Sequence, residues 1–180
     1  MSEQEVIHSW GGDLDFDTEI DHLKDLIKNS QRKQKAYYAI LLTQLAQSCR
    51  ISEAVDALTK WAKSKKPVDV VEVKVRKRKD TYWRDVFIPK SIMEDAKSIK
   101  RILNKFDFTD NLIDNVKHFA AYHLYNTHAL RHAGITQQGM QNVPAQVIAR
   151  GTGHKKLQHI QLYTEKAAAR KVLREMANRA

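Results

Sequence analysis

Cysteine is nearly absent from this chain. Its 180 residues hold one, Cys49, which excludes an internal disulfide framework and a cysteine-rich zinc site. No apolar run approaches the ~20 residues needed to span a bilayer. No basic n-region followed by an apolar h-region opens the chain, so nothing marks it for secretion. Internal repeats and low-complexity segments are missing, and no cluster of acids suits Mg²⁺. What remains is the composition of an ordinary globular domain, with 42% apolar residues, and the length suits one domain with its own core. The net charge is +10, and the partner expected for such a surplus is a polyanion.

That surplus is unevenly placed. The first 25 residues carry eight acids and one base, so they sum to −7 and residues 26–180 to +17. Ten Lys and Arg lie between Lys60 and Arg84, and from Lys117 onward ten bases face only Glu165 and Glu175. A surface of that sign attracts a phosphate backbone by releasing counterions, with an affinity that falls steeply with salt.

Periodicity predicts a mainly α-helical domain with one small antiparallel sheet, an α+β class. Asp17 is placed to cap a helix from about Thr18, with Ile20, Leu23, Leu26 and Ile27 at helical spacing. Further helices are predicted over 34–48 and from Ser52. After Pro67 the period changes to two: Val71, Val73 and Val75 alternate with Glu72, Lys74 and Arg76. Thr81–Pro89 is rich in β-formers, so the two segments read as a hairpin with its tip near Lys79. Helices follow over 91–104, 109–115 and 117–133, the last carrying His128–His132 towards its end. Others follow over 145–150 and 156–163, with a basic helix over 166–178. Trp10, Trp61 and Trp83 read as packing residues.

Four places gather groups suited to a phosphate. They are Arg50-Ile51-Ser52-Glu53 at a helix start, the basic hairpin, His128-Ala129-Leu130-Arg131-His132, and Gly151-Thr152-Gly153-His154 with Tyr163 nine residues on. Transesterification of a phosphodiester needs a nucleophile, charge stabilisation and a proton for the leaving oxygen. Tyr163 can supply the nucleophile. Arg50 and Arg131 offer donor forks matched to phosphate oxygens. His154 can donate to a non-bridging oxygen, His128 can accept a proton, and a hairpin lysine can protonate the departing 5′ oxygen. Glu53 reads as structural, holding the Arg50 region by hydrogen bonds. His118, His123, His128 and His132 stand five, five and four apart. No carboxylate or cysteine completes a metal site with them, so no metal is expected.

These boxes resemble the conserved boxes of the tyrosine recombinases, the phage integrase family. The similar spans are Cys49–Ala54, Thr127–Thr136 and Gly151–Thr164, and the steps of 23 from Arg131 to His154 and nine from His154 to Tyr163 match the family's spacing. The resemblance covers about residues 18–178. It implies a site-specific recombinase or integrase catalytic domain, of the kind carried by mobile elements such as viruses and plasmids. It would cut and rejoin DNA through a 3′-phosphotyrosyl intermediate with no metal, ATP or other cofactor. The implied catalytic set is Arg50, Lys77, His128, Arg131, His154 and the nucleophile Tyr163. Strand parity sets Lys74 on the face opposite Val73 and Val75. Counting from the hairpin base favours Lys77 as the general acid, and counting from the tip favours Lys79. Lys74, Arg76, Arg78, Lys155 and Lys156 are the expected DNA-backbone contacts.

Double-stranded DNA is the expected partner, with four protomers around two duplexes and the 166–178 helix docking onto a neighbour. Residues 1–17 are expected to be a flexible acidic lead-in, too short to be the separate N-terminal clamp domain common in the family, and 18–180 the catalytic domain. An intracellular, DNA-associated location with no membrane follows. The alternatives are a type IB topoisomerase-like relaxing enzyme and a DNA-binding module with weak catalysis.

Overall fold

Residues 36–45 form an unbroken apolar stretch relieved only by Thr43 and Gln44, and all ten are buried. A helix that is apolar on every side belongs inside a domain. This one, α2 (Arg32–Gln47), is the axis of the fold. The structure, a computed structural model, describes residues 14–75, 82–105 and 111–179. Around α2 pack α1 (Phe16–Asn29), α3 (Ile51–Lys63), α5 (Ala96–Leu103), α6 (Asn111–Tyr122) and α7 (Thr127–Met140). The short α4 (Lys90–Glu94) precedes α5, and α8 (Ala145–Thr152) and α9 (Leu157–Ala177) close the chain against α7. Leu23, Ile40, Leu41, Leu45, Leu58 and Trp61 are the largest contributors to the main core. Ile135, Ile148, Ala149 and Ile160 make a separate cluster under α8 and α9. Among the described residues, no helix is long and apolar enough to cross a membrane.

The sheet has two strands, β1 (Val70–Lys74) and β2 (Trp83–Phe87), antiparallel with Val70 opposite Phe87 and Lys74 opposite Trp83. Backbone bonds from Val75 N to Tyr82 O (2.8 Å) and from Ile88 N to Asp69 O (2.7 Å) extend the ladder at both ends. Val73, Val75, Arg84, Val86 and Ile88 face inward, and Val73 and Val86 pack on Ala57 of α3. Lys74 faces out. The mainly helical class with one small antiparallel sheet is therefore the fold that periodicity predicts.

Helix boundaries differ from expectation in several places: the span 91–104 is divided into α4 and α5, and α6 joins the helix expected over 109–115 to the start of the next. The first helix starts at Phe16 because Asp15, not Asp17, is the cap: its carboxylate accepts from Thr18 N at 2.8 Å. Asp17 falls inside the first turn, where its charge suits the helix dipole. The helix expected over 117–133 is two helices. Leu124 takes a left-handed φ of 61°, and the Asn126 side chain accepts from His128 N and Ala129 N to start α7. His128–His132 thus open a helix rather than approach the end of one. The last two expected helices are the single α9. Thr164, where a break was expected, donates its hydroxyl to Ile160 O at 3.2 Å and stays helical. Trp61 is a packing residue, buried with its Nε1 donating to Val68 O. Trp83 is exposed, with the Lys60 ammonium over its ring. Trp10 lies outside the described residues.

α7 reaches α2 through Gly134. A Cβ there would overlap Leu45 O and Ser48 Oγ. Gly134→Ala is expected to lower the unfolding free energy in urea by about 1–3 kcal/mol, the usual cost of overpacking. Gly151→Ala meets nothing within 4 Å, so it should leave stability unchanged or raise it by up to about 1 kcal/mol.

Candidate active site

The site begins where α2 stops. Ser48 turns left-handed (φ 49°), Cys49 is buried and Arg50 becomes the N-cap of α3. Burial pushes the Cys49 thiol up to about 12, so it stays protonated and unreactive. Glu53, one turn into α3, folds back on the cap. Its Oε2 accepts from Arg50 N at 3.1 Å and its Oε1 from Arg50 Nη1 at 2.8 Å. The Glu53 side chain is 0% exposed and that of Arg50 23%.

Two further guanidinia meet the same carboxylate. Arg131, in the second turn of α7, is brought in by the close approach at Gly134, and its Nη1 lies 3.9 Å from Glu53 Oε2. Arg84 comes from the inward face of β2, with Nη1 3.5 Å from Oε2 and Nη2 donating to Gln47 O at 2.8 Å. The Arg84 and Arg131 side chains are each 6% exposed. Among the described residues, three positive charges against one negative leave the cluster at +2. A buried excess of that size is costly unless an anion completes it. Burial, then the nearby Arg50, lowers Arg131 to about 10, while Glu53 opposes the shift; the group stays charged at neutral pH. Its Nη1 makes no hydrogen bond among the described residues.

His154 stands beside Arg131. Gly153, with φ 71°, caps α8 and turns the chain so that the imidazole faces the guanidinium. Arg131 Nη2 donates to Thr152 O at 2.9 Å and lies 3.4 Å from both ring nitrogens. The Thr152 hydroxyl donates to Ile148 O at 2.6 Å, which uses its one hydrogen. The 2.6 Å contact between Thr152 Oγ1 and His154 Nδ1 is therefore an Nδ1–H donating to the hydroxyl oxygen. In the neutral ring this leaves Nε2 unprotonated. Burial first, then the charges of Arg131 and Arg50, lower His154 to about 4. The hairpin base rests on the same loop: Tyr82 Oη donates to Arg150 O at 2.6 Å. A Cβ on Gly153 would come within 3.2 Å of Val75 Cγ1.

The described structure thus gathers Arg50, Arg131 and His154. His128 is exposed on the first turn of α7, one turn ahead of half-buried His132, whose imidazole burial holds below its ordinary value. Tyr163 lies within α9, and its side chain is outside the described residues. Arg76, Lys77, Arg78 and Lys79 are outside them as well. Lys74 is exposed on β1, and Lys155 and Lys156 in the turn before α9. Glu53 holds Arg50, as expected, and reaches two arginines more. Arg84 and Thr152 are the residues that sequence reasoning missed. A lone charge at an inward strand position, between Val73 and Val86, was the available signal for Arg84.

No protein-family model matches the sequence. Relatives are found nonetheless. An uncharacterised protein of Methanocaldococcus jannaschii is 33% identical over 177 residues, spanning 86% of this chain and 79% of its own length. A protein of Acidianus two-tailed virus, provisionally named an integrase, is 31% identical over 175 residues, spanning 94% of this chain and 70% of its own. A Sputnik virophage protein with the same provisional name is 33% identical over 153 residues, spanning 73% of this chain and 67% of its own. This chain belongs to the tyrosine recombinase (integrase) family. Its fold agrees with that membership. The XerH site-specific recombinase, solved in a post-cleavage complex with palindromic difH DNA, matches with a TM-score of 0.56 at 18% identity over 89% of this chain. This chain spans about half of that recombinase, 51% of its length.

The histidine geometry has a measurable consequence. His154 should be neutral at pH 7, protonated on Nδ1, and should titrate near pH 4 in NMR spectra of the imidazole nitrogens. The unfolded chain takes up this proton near pH ~6.5. The folded state therefore binds fewer protons, and His154 should make stability fall as pH drops from about 6.5 towards 4. A native midpoint at or above 6.5 would contradict this environment.

Proposed function

We propose that this chain is the catalytic domain of a site-specific DNA recombinase that cuts and reseals strands through a covalent 3′-phosphotyrosine. The observation that carries the reading is the +2 arginine cluster: Arg50 and Arg131 are held from behind by Glu53, and Arg131 Nη1 has no hydrogen-bond acceptor among the described residues. Two planar guanidinium forks suit the non-bridging oxygens of a phosphodiester. Their charge matches the extra negative charge that builds up as a fifth oxygen attacks phosphorus.

In this reading Tyr163 attacks the scissile phosphate, forming the Tyr Oη–P bond as the P–O5′ bond breaks. Lys77, with Lys79 as the alternative, protonates the departing 5′ oxygen. His128, exposed at the start of α7, accepts the proton that the Tyr163 hydroxyl loses and returns it in the reverse step. His154 Nδ1–H is engaged with Thr152, so its Nε2 donates to a phosphate oxygen only after taking up a proton, which the arriving anion favours. Attack by another strand's 5′-hydroxyl reverses the chemistry and reseals DNA. One phosphodiester is exchanged for another at nearly equal energy, so the scheme requires no ATP, and the guanidinia supply the charge stabilisation that a metal would otherwise give. Lys74, Arg76, Arg78, Lys155 and Lys156 grip the backbone of double-stranded DNA, and the enzyme works inside the cell where that DNA is. An acidic N-terminal stretch leads into a catalytic domain whose first helix is α1, with Leu14 and Phe16 already packed on the core. The exposed Val172, Leu173 and Met176 on α9 suit docking onto a neighbouring protomer in a tetramer on DNA.

Tyr163→Phe should abolish the covalent adduct on a nicked suicide duplex while changing DNA affinity less than about threefold. An adduct that persists in this variant would sink the assignment. Relaxation of plasmid without strand exchange between sites would favour the topoisomerase-like alternative. Replacing Lys155 and Lys156 together by Ala should weaken binding to all duplexes alike. It should also make the slope of log affinity against log salt about two units shallower, read by fluorescence anisotropy.

A further inference from the structure

Arg84 is a residue that the proposed reaction does not use directly. It sits on the inward face of β2, opposite Val73 and beside Val86, where an apolar side chain would be the ordinary choice. A 6% exposed guanidinium there must be compensated. Two acceptors meet it: the Glu53 carboxylate at 3.5 Å and the Gln47 carbonyl at 2.8 Å. Gln47 is itself tied to the strand, because its Oε1 accepts from Phe87 N at 3.1 Å. Arg84 and Gln47 together stitch β2 to the last turn of α2, three residues before Arg50.

The contact with Glu53 matters more than the stitch. Oε1 of Glu53 is taken by Arg50 Nη1. Oε2 is shared by Arg50 N at 3.1 Å, Arg84 Nη1 at 3.5 Å and Arg131 Nη1 at 3.9 Å. Arg131 is the outermost of the three, beyond hydrogen-bonding distance. Arg84 shares the charge and the lone pairs of Oε2, so it weakens the pull of Glu53 on Arg131. Remove Arg84, and Oε2 is left with a desolvated charge and one free approach. Arg131 Nη1, with no other hydrogen-bond acceptor among the described residues, is the donor positioned to close on it.

We propose that Arg84 is a positioning residue that occupies Glu53 Oε2 so that the Arg131 guanidinium is held off Glu53, in the place where it serves the scissile phosphate. This rests on the recombinase reading for its functional consequence, while its geometric half stands on the described contacts alone. Arg84 does not touch the reacting atoms. It acts through Glu53 on Arg131, and through Gln47 on the segment that presents Arg50.

The test compares two substrates under single-turnover conditions at saturating DNA: an ordinary scissile phosphate and a scissile methylphosphonate, which lacks the charged non-bridging oxygen. Arg84→Met should slow adduct formation on the phosphate by about 100-fold, the scale of losing one oxyanion donor, with DNA affinity changed less than about threefold. On the methylphosphonate, where the Arg131 donor has no charge to neutralise, the loss should shrink to about fivefold or less. Arg84→Lys keeps a cation beside Oε2 but loses the fork to Gln47, and should recover to within about tenfold of the wild type on the phosphate. Should Arg84→Met fail to fold, Arg84→Gln, which keeps a donor but no charge beside Oε2, carries the same two-substrate comparison and the same crystal test. Equal losses on both substrates, or wild-type rates on the phosphate, would overturn the proposal. Wild-type protein that forms no adduct would overturn the recombinase reading instead. A crystal structure of Arg84→Met, which leaves no cation from β2 beside Oε2, then still decides the geometric half. Arg131 Nη1 moving from 3.9 Å to within about 3.2 Å of Glu53 Oε2 supports it, and an unmoved Arg131 refutes it.

Discussion

One buried carboxylate organises this molecule. Glu53 is fully enclosed, and a charge in that position persists only when partners surround it. Its partners come from three directions: Arg50 from its own helix, Arg84 from the sheet and Arg131 from α7. Each brings an element with it. The carboxylate therefore fixes where the hairpin, the α2–α3 junction and α7 meet, and the meeting point carries more positive charge than Glu53 can balance. That imbalance costs stability in the free protein. It is also what makes the place receptive to an anion, so stability and affinity pull in opposite directions at one site.

The remaining parts are arranged around that point. Gly134 lets α7 approach α2 closely enough for Arg131 to reach Glu53. Arg131 in turn bonds the Thr152 carbonyl, which draws the end of α8 and His154 into the cluster. Tyr82 ties the hairpin base to α8 through Arg150 O. A phosphate seated on the guanidinia would thus touch groups from elements spread over much of the chain, while the core beneath stays rigid.

Much of this was legible in the sequence because phosphate chemistry constrains residue type and spacing together. Arg50, Arg131 and His154 were found from their boxes, and the structure places them side by side. The period-two valines located the hairpin and set Lys74 outward. The helix boundaries were less legible. Asn126 and Asp15 are caps whose role depends on which backbone N–H they meet; Asp17 competed with Asp15 two residues on, and Asn126 lay inside a span that read as one helix. Arg84 was missed because a strand arginine reads as surface charge until the buried carboxylate opposite it is known. Thr152 was missed for a similar reason. Its hydroxyl sets the histidine tautomer through a contact two residues away, and no motif spells that out.

The central claim is that the arginine pair held by Glu53 is a phosphate cradle. The most direct measurement is a crystal structure of the protein with orthovanadate and a nicked duplex, in which vanadate bridges Tyr163 and a 5′-hydroxyl in place of the scissile phosphorus. The account predicts Arg50 and Arg131 on the equatorial vanadate oxygens at about 2.7–3.2 Å, with Glu53 still behind both guanidinia. Vanadate bound away from the arginines, with Arg131 closed onto Glu53, would contradict it.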